Sequence, residues 1–273
     1  VTEFVDTHAH VQGSEFDDDR DAVIERARAA GVTTLIVPGV DVETSRSGLE
    51  LANRHEGVYA AIGIHPHEAS HLDADARSAF VDLLEDPRCV AVGETGLDFY
   101  RMHSTRDEQI EALLAMLTFA AKIELPVVIH CRDAWDALAE VLEPWARALA
   151  KTFRGGPMGV LHYFSSDLET ARRYVDLGFM ISIHTSVTHP KSTQLREVAA
   201  ALPLESLVIE TDSPYGAPQS QRGKRNEPAF VAEAASLIAE LRGISLEDVA
   251  SATTDNACRL FNLPVPSVAG ARS

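Results

Sequence analysis

Short apolar runs recur along the chain, and each is followed by a stretch with helical spacing. The runs lie near 4–7, 33–40, 58–64, 89–94, 126–131, 158–164, 178–184 and 206–211. Val, Ile and Ala dominate them with little polar alternation, the pattern of strands buried on both faces. Apolar spacing at three and four residues predicts helices over 19–30, 43–55, 72–85, 106–124, 133–150, 167–177, 191–201 and 227–241, and a last one over 245–260. Eight strand–helix pairs predict an α/β chain folded as a (β/α)8 TIM-like barrel, with some distortion tolerated. A doubly wound open sheet is the alternative, but it usually has fewer strands. No internal repeat or interdomain linker interrupts the pattern. A single domain is expected over 1–263 with nothing before it, and a fraying tail over 264–273, rich in Pro, Gly, Ala and Ser.

The polar residues that break these runs cluster at their C-terminal ends. His8 and His10 end the first run, His65 and His67 the third, Glu94 and Asp98 the fourth. His130 and Arg132 end the fifth, His162 the sixth, His184 the seventh and Asp212 the eighth. In a barrel these ends converge on one mouth, where active sites sit.

Composition and charge narrow the function. The chain has 273 residues, 45% hydrophobic and 24% charged, enough for a large single core. No run approaches a membrane span and no signal peptide is visible. The three cysteines, Cys89, Cys131 and Cys258, are widely spaced and odd in number, so neither a disulfide framework nor a paired-cysteine zinc site is expected. A cytoplasmic location follows as the default. The net charge of -17 opposes long-range attraction to duplex DNA, so any nucleic-acid activity must rest on local cations. Nothing in the sequence sets an oligomeric state, and a monomer is the default.

The candidate chemistry is metal-assisted. In a strand, residues two apart share a face, so Asp6, His8 and His10 should point one way, and two imidazoles on one rim can clamp a divalent ion. Glu94 emerges from the apolar Val90–Gly93 run, where a carboxylate is costly unless a cation compensates it. Its two oxygens can bridge two metals, with Gly93 and Gly96 admitting close backbone approach. His130 and His162, each at the exit of a buried strand, suit a second metal facing Glu94. Either could instead be a satisfied core histidine. Asp212 can ligate the first metal and accept a proton from the attacking water. Glu210, two residues back on the same face, falls deeper in the barrel and is read as structural. His65 and His67 flank a proline. They are candidates for contacting phosphate or orienting a metal-ligating carboxylate, against a plain loop role.

The chain resembles the TatD-type deoxyribonucleases, a branch of the metal-dependent amidohydrolase superfamily. The resemblance rests on Asp6-Thr-His-Ala-His10, Gly63-Ile-His-Pro-His67, Gly93-Glu-Thr-Gly-Leu-Asp-Phe-Tyr100 and Pro126-Val-Val-Ile-His-Cys-Arg132. It continues through Leu161-His-Tyr-Phe-Ser165, Glu210-Thr-Asp-Ser-Pro-Tyr215, Arg222-Gly-Lys-Arg-Asn-Glu-Pro228 and Asn256-Ala-Cys-Arg-Leu-Phe261. It implies a barrel with two metals, one on His8, His10, Glu94 and Asp212, the other on Glu94, His130 and His162. It also implies DNase activity, often exonucleolytic from the 3′ end. The chain departs from the family pattern at Val11-Gln12, at Ser166, at His184-Thr185 and at Gly216. These positions bear on substrate preference and not on the ligands; His184 can add a donor to the mouth or reshape the pocket.

The resulting expectation is a phosphodiester hydrolase acting on single-stranded DNA ends through a two-metal activated water, with Asp212 and Glu94 as the catalytic carboxylates. Zinc suits the imidazole-rich site, with Mg2+ or Mn2+ as alternatives. Arg132, Lys224 and Arg225 are the cations expected at phosphate, alongside His65 and His67, and Tyr100 is a surface on which a terminal base can stack. Asp6, Asp98 and His184 are placed behind the ligands or in the pocket. A salt bridge is the alternative for Arg132, and an ordinary solvated loop for Lys224 and Arg225. Two rival functions stand beside this one. The first is a hydrolase of the same superfamily acting on a small amide, lactone or phosphoester. The second, of lower weight, is a non-catalytic metal-binding scaffold.

Overall fold

The computed structural model describes residues 2–150 and 156–264. Eight parallel strands form one sheet in sequence order. They are β1 (Phe4–Asp6), β2 (Val32–Pro38), β3 (Val58–Ile62), β4 (Cys89–Asp98), β5 (Val127–Arg132), β6 (Gly159–Leu161), β7 (Phe179–His184) and β8 (Leu207–Glu210). The helices between and after them are α1 (Arg20–Ala29), α2 (Val42–Arg54), α3 (Ala74–Leu83), α4 (Arg106–Ile123), α5 (Trp135–Leu149), α6 (Leu168–Asp176), α7 (Thr193–Ala201), α8 (Val231–Arg242) and α9 (Leu246–Phe261). This is a (β/α)8 barrel with one incompletely sealed seam. Between β1 and β8 no full ladder forms. Isolated bonds cross instead, from Thr7 N–H to Ile209 O (3.1 Å), Asp212 N–H to His8 O (2.8 Å) and His10 N–H to Ser213 O (2.8 Å).

The elements fall where the apolar runs predict them, with informative differences at their ends. β1 and β6 stop early, so His8, His10 and His162 lie on the segments just beyond the strands. β4 runs on to Asp98, four residues past the expected end, because the backbone irregularity between Val92 and Thr95 lets it re-pair with β5. Helix starts follow side-chain chemistry: reciprocal capping boxes at Asp41/Thr44, Thr105/Glu108 and Ser245/Asp248 satisfy amides that the first turn leaves unpaired. The expected tail over 264–273 lies outside the described residues except for Pro264.

Two apolar layers result. Outward strand residues pack against the helices, while Val5, Ile36, Ala61, Ala91, Val128, Val160, Met180 and Val208, one from each strand, fill the barrel. Ala257, Leu260 and Phe261 of α9 join this inner cluster. Asn256 of the same helix donates to Leu204 O (2.8 Å) and Leu207 O (2.7 Å) at the start of β8, and Thr254 to Glu3 O (3.1 Å) at the start of β1. The last helix therefore plugs the N-terminal end of the barrel, which leaves the opposite end as the open face. Among the described residues no helix is long and apolar enough to cross a membrane.

Candidate metal centre

Glu94 stands at the centre of the open face, buried to 2% exposure. The backbone is shaped to hold it there. Gly93 and Gly96 have φ of 150° and 147°, and a Cβ on Gly96 would lie 1.9 Å from His130 O. Only glycine permits that approach beside β5. Asp212 also takes a left-handed backbone, φ 57°, which aspartate tolerates better than most residues. Its N–H bonds His8 O across the seam and its carbonyl receives Tyr215 N–H (2.8 Å).

The two oxygens of Glu94 face different ligand sets. Oε2 lies 3.3 Å from His8 Nε2 and 3.6 Å from His10 Nε2. Those two nitrogens are 3.1 Å apart, and Asp212 Oδ1 is 3.7 and 3.5 Å from them. Ligands bonded at about 2.1 Å around a tetrahedral ion stand roughly 3.4 Å from one another. The four groups have that spacing. Oε1 lies 3.0 Å from His130 Nδ1 and 2.8 Å from His162 Nε2, which are 3.4 Å apart. His65 Nε2 approaches the same oxygen at 3.4 Å, so three imidazoles surround it. The donor chemistry fits two divalent ions sharing one carboxylate.

Electrostatics follows from burial against these contacts. For Glu94, burial opposes the charge, but His162, His65 and His8 with the His130 hydrogen bond hold it well below the usual carboxylate range. Burial lowers His8, reinforced by neighbouring His162, and pushes His65 down to about 4. His10, His130 and His162 are raised despite burial, by Asp212 and Glu94 for the first, by Asp98 and Glu94 for the second and by Glu94 and Glu210 for the third.

Buried carboxylates stand behind these side chains. Asp98 Oδ2 accepts from His67 Nε2 (2.9 Å) and His130 Nε2 (3.2 Å), while Oδ1 accepts from the amides of Tyr100 (3.0 Å) and Arg101 (2.9 Å). Glu210, read from sequence as merely structural, is fully buried. Its Oε1 accepts from Tyr163 N–H (2.5 Å) and sits 3.5 Å from His162 Nδ1. The i+2 spacing to Asp212 was the available signal; its meaning depended on where β6 lies. Asp6 does not share the mouth with His8 and His10. It lies beneath them, accepting from Thr211 N–H (2.9 Å) and Thr211 Oγ1 (2.6 Å), and burial raises its carboxyl to about 8.

The family follows from the match of residues 5–262 to the TatD related DNases. The chain belongs to the TatD-related DNase family. It is accordingly a metal-dependent hydrolase of the nuclease class. It is 36% identical to YabD of Bacillus subtilis, named an uncharacterized metal-dependent hydrolase, over 94% of this chain and 98% of that one. It is 36% identical to the protein of Escherichia fergusonii named 3′-5′ ssDNA/RNA exonuclease TatD, again over 94% and 98%. Among solved structures it is similar to YjjV, a TatD homologue from Escherichia coli K12, with a TM-score of 0.89 and 34% identity, covering 96% and 99% of the two chains.

Several residues expected at substrate stand elsewhere in this TatD-family barrel. Arg225 is not free for phosphate: it pairs with Asp19 (2.7 Å) and Glu227 (3.1 Å), and Arg26 joins both carboxylates at 2.9 and 2.8 Å. That network fastens the loop after β8 to α1. Lys224 is exposed beside it, with Nζ 3.3 Å from Gln221 Oε1. His184 does not offer a donor to the mouth. It is buried, its ring stacked 3.7 Å from that of Tyr163 and its Nδ1 2.7 Å from Ser186 Oγ. His65 Nε2 lies 3.4 Å from Glu94 Oε1 and His67 Nε2 2.9 Å from Asp98 Oδ2, so both rings border the Oε1 side of the centre. Arg132 forms no salt bridge among the described residues. Its guanidinium lies 3.8 Å over the ring of Tyr100, which is 60% exposed.

Proposed function

We propose that this enzyme removes nucleotides one at a time from the free 3′ end of single-stranded DNA, and by likeness to its relatives of RNA. The observation that carries the reading is the division of Glu94, whose Oε2 faces His8 and His10 while Oε1 faces His130 and His162. His8, His10, Asp212 and Oε2 would hold one divalent ion, and Oε1, His130 and His162 the other, with His65 beside it. Such ions supply Lewis acidity toward a phosphoryl group and bring a water toward ionisation near neutral pH. Asp212 takes the proton of the attacking water on its carboxylate. Asp98 holds His130 by a hydrogen bond, and the Glu210 carboxylate stands 3.5 Å behind His162 Nδ1, so both rings are placed before substrate binds. Arg132, already positioned by Tyr100, meets the phosphate oxygens, and the exposed face of Tyr100 receives the terminal base. The -17 charge favours a short single-stranded end over a long duplex.

The test is a time course on 5′-labelled linear oligonucleotides beside closed single-stranded circles, with Zn2+, Mg2+ or Mn2+ and a Glu94→Gln control. Stepwise shortening of linear strands, stopped by a 3′ phosphate and absent in the control, is the expected result. Equal cutting of circles, or rapid hydrolysis of a small amide or lactone with DNA intact, would overturn the assignment.

A further inference from the structure

Tyr215 is a large aromatic side chain left 58% exposed on a backbone that is tightly fixed. Its N–H donates to Asp212 O at 2.8 Å. Its carbonyl accepts from the amide of buried Asn226 at 2.7 Å, and the same Asn226 nitrogen also donates to Thr185 Oγ1 (3.0 Å) and Thr211 O (2.9 Å). The position is thus held as firmly as the ligands beside it, while the ring projects outward. Its ring contact is with His10, edge to face at 6.3 Å between centroids, so it borders the Oε2 half of the centre. Burying such a ring in the core would contribute to stability; here it contributes little, because water covers more than half of it.

Placement gives the ring a partner. Tyr215 follows β8, and Tyr100 follows β4, on the diametrically opposite side of an eight-strand barrel. Tyr100 with Arg132 borders the Oε1 half through Asp98 and His130. Two exposed aromatic faces therefore flank the reaction centre, one on each side of the Glu94 carboxylate. A dinucleotide spanning a scissile phosphate has a base on each side of that phosphate, and bases stack on tyrosine without regard to sequence.

We propose that Tyr215 is a substrate-binding platform that stacks on the penultimate base, across the scissile bond from the terminal base on Tyr100. The inference rests on the 3′-exonuclease reading above. It gives an acidic protein a further hold on a strand end: stacking supplies affinity that phosphate neutralisation does not.

The experiment pairs enzyme variants with single abasic substitutions in the substrate. Wild type, Tyr215→Ala and Tyr215→Phe are assayed on oligonucleotides that are intact, abasic at the 3′-terminal residue, or abasic at the penultimate one. Tyr215→Ala should lower kcat/KM on intact strands by roughly ten- to a hundredfold, and Tyr215→Phe by little, since the ring face and not the hydroxyl stacks. On the penultimate-abasic strand, wild type should fall by the same factor and Tyr215→Ala should fall no further. A binding readout accompanies it. 2-Aminopurine at the penultimate position of a phosphorothioate strand should be quenched by wild type and not by Tyr215→Ala. Coupling of Tyr215 to the terminal base alone, or to neither base, overturns the proposal while leaving the nuclease reading intact. If wild type shortens no oligonucleotide, the nuclease reading itself fails and the proposal falls with it.

Discussion

Asp98→Asn isolates the role of the carboxylate behind the second ligand set. All four hydrogen bonds to the Asp98 carboxylate come from donors: two backbone amides on Oδ1 and two imidazoles on Oδ2. Asparagine has the same shape but offers one oxygen and one NH2. Whichever way the amide turns, its NH2 meets a pair of donors. If it faces the rings, His130 loses the acceptor that fixes its Nε2 proton and leaves Nδ1 free toward Glu94. If it faces the backbone, the amides of Tyr100 and Arg101 are left unpaired and the loop bearing Tyr100 loosens. Loss of such an outer partner typically weakens metal affinity about 10- to 100-fold, or ~1.4 to ~2.8 kcal/mol. The loss should fall on one site, because His8, His10 and Asp212 make no contact with Asp98 among the described residues. Metal titration by calorimetry, with elemental analysis of the loaded protein and a circular dichroism melt to confirm folding, should show one weakened and one unchanged site. Two unchanged sites, or two equally weakened ones, would refute the reasoning.

Three further outcomes are expected. Asp212→Asn should lower kcat about 10²- to 10⁴-fold while the protein still folds, checked by single-turnover release of a labelled nucleotide. Arg132→Ala should raise KM for an oligonucleotide about tenfold or more, whereas Arg225→Ala should leave it within about twofold, because Arg225 is engaged with Asp19 and Glu227. Burial lowers His184 to about 4 from an ordinary 6.5, so its neutral ring contributes stability that is intact above pH 6.5 and lost as pH falls toward 4. The slope is about 1.4 kcal/mol per pH unit, at most roughly 3 kcal/mol across that window. Urea midpoints between pH 7 and 4.5 should lose that component in His184→Phe, which keeps a ring against Tyr163.

The sequence by itself determined the barrel and the list of metal-ligand candidates. Strands buried on both faces and spaced by helices admit few topologies, and parallel strands bring their C-terminal ends to one face. His8, His10, Glu94, His130, His162 and Asp212 could therefore be placed together without knowing a distance, since each breaks an apolar run at the same end. Tertiary structure alone decided what stands behind and around them. Arg225 reads as a free cation because Asp19, which neutralises it, is 206 residues away in the chain. His184 reads as a mouth residue until the segment after β6 lays Tyr163 against it. Glu210 reads as a barrel filler until the same segment brings Tyr163 N–H and His162 to its carboxylate. Tyr215 carried no reading of its own from sequence beyond its motif, because exposure is a property of the neighbours that fail to cover it. Periodicity encodes which face a residue shares with its own element. Pairing across 30 to 200 residues is set by how the loops pack, and no local pattern carries that information.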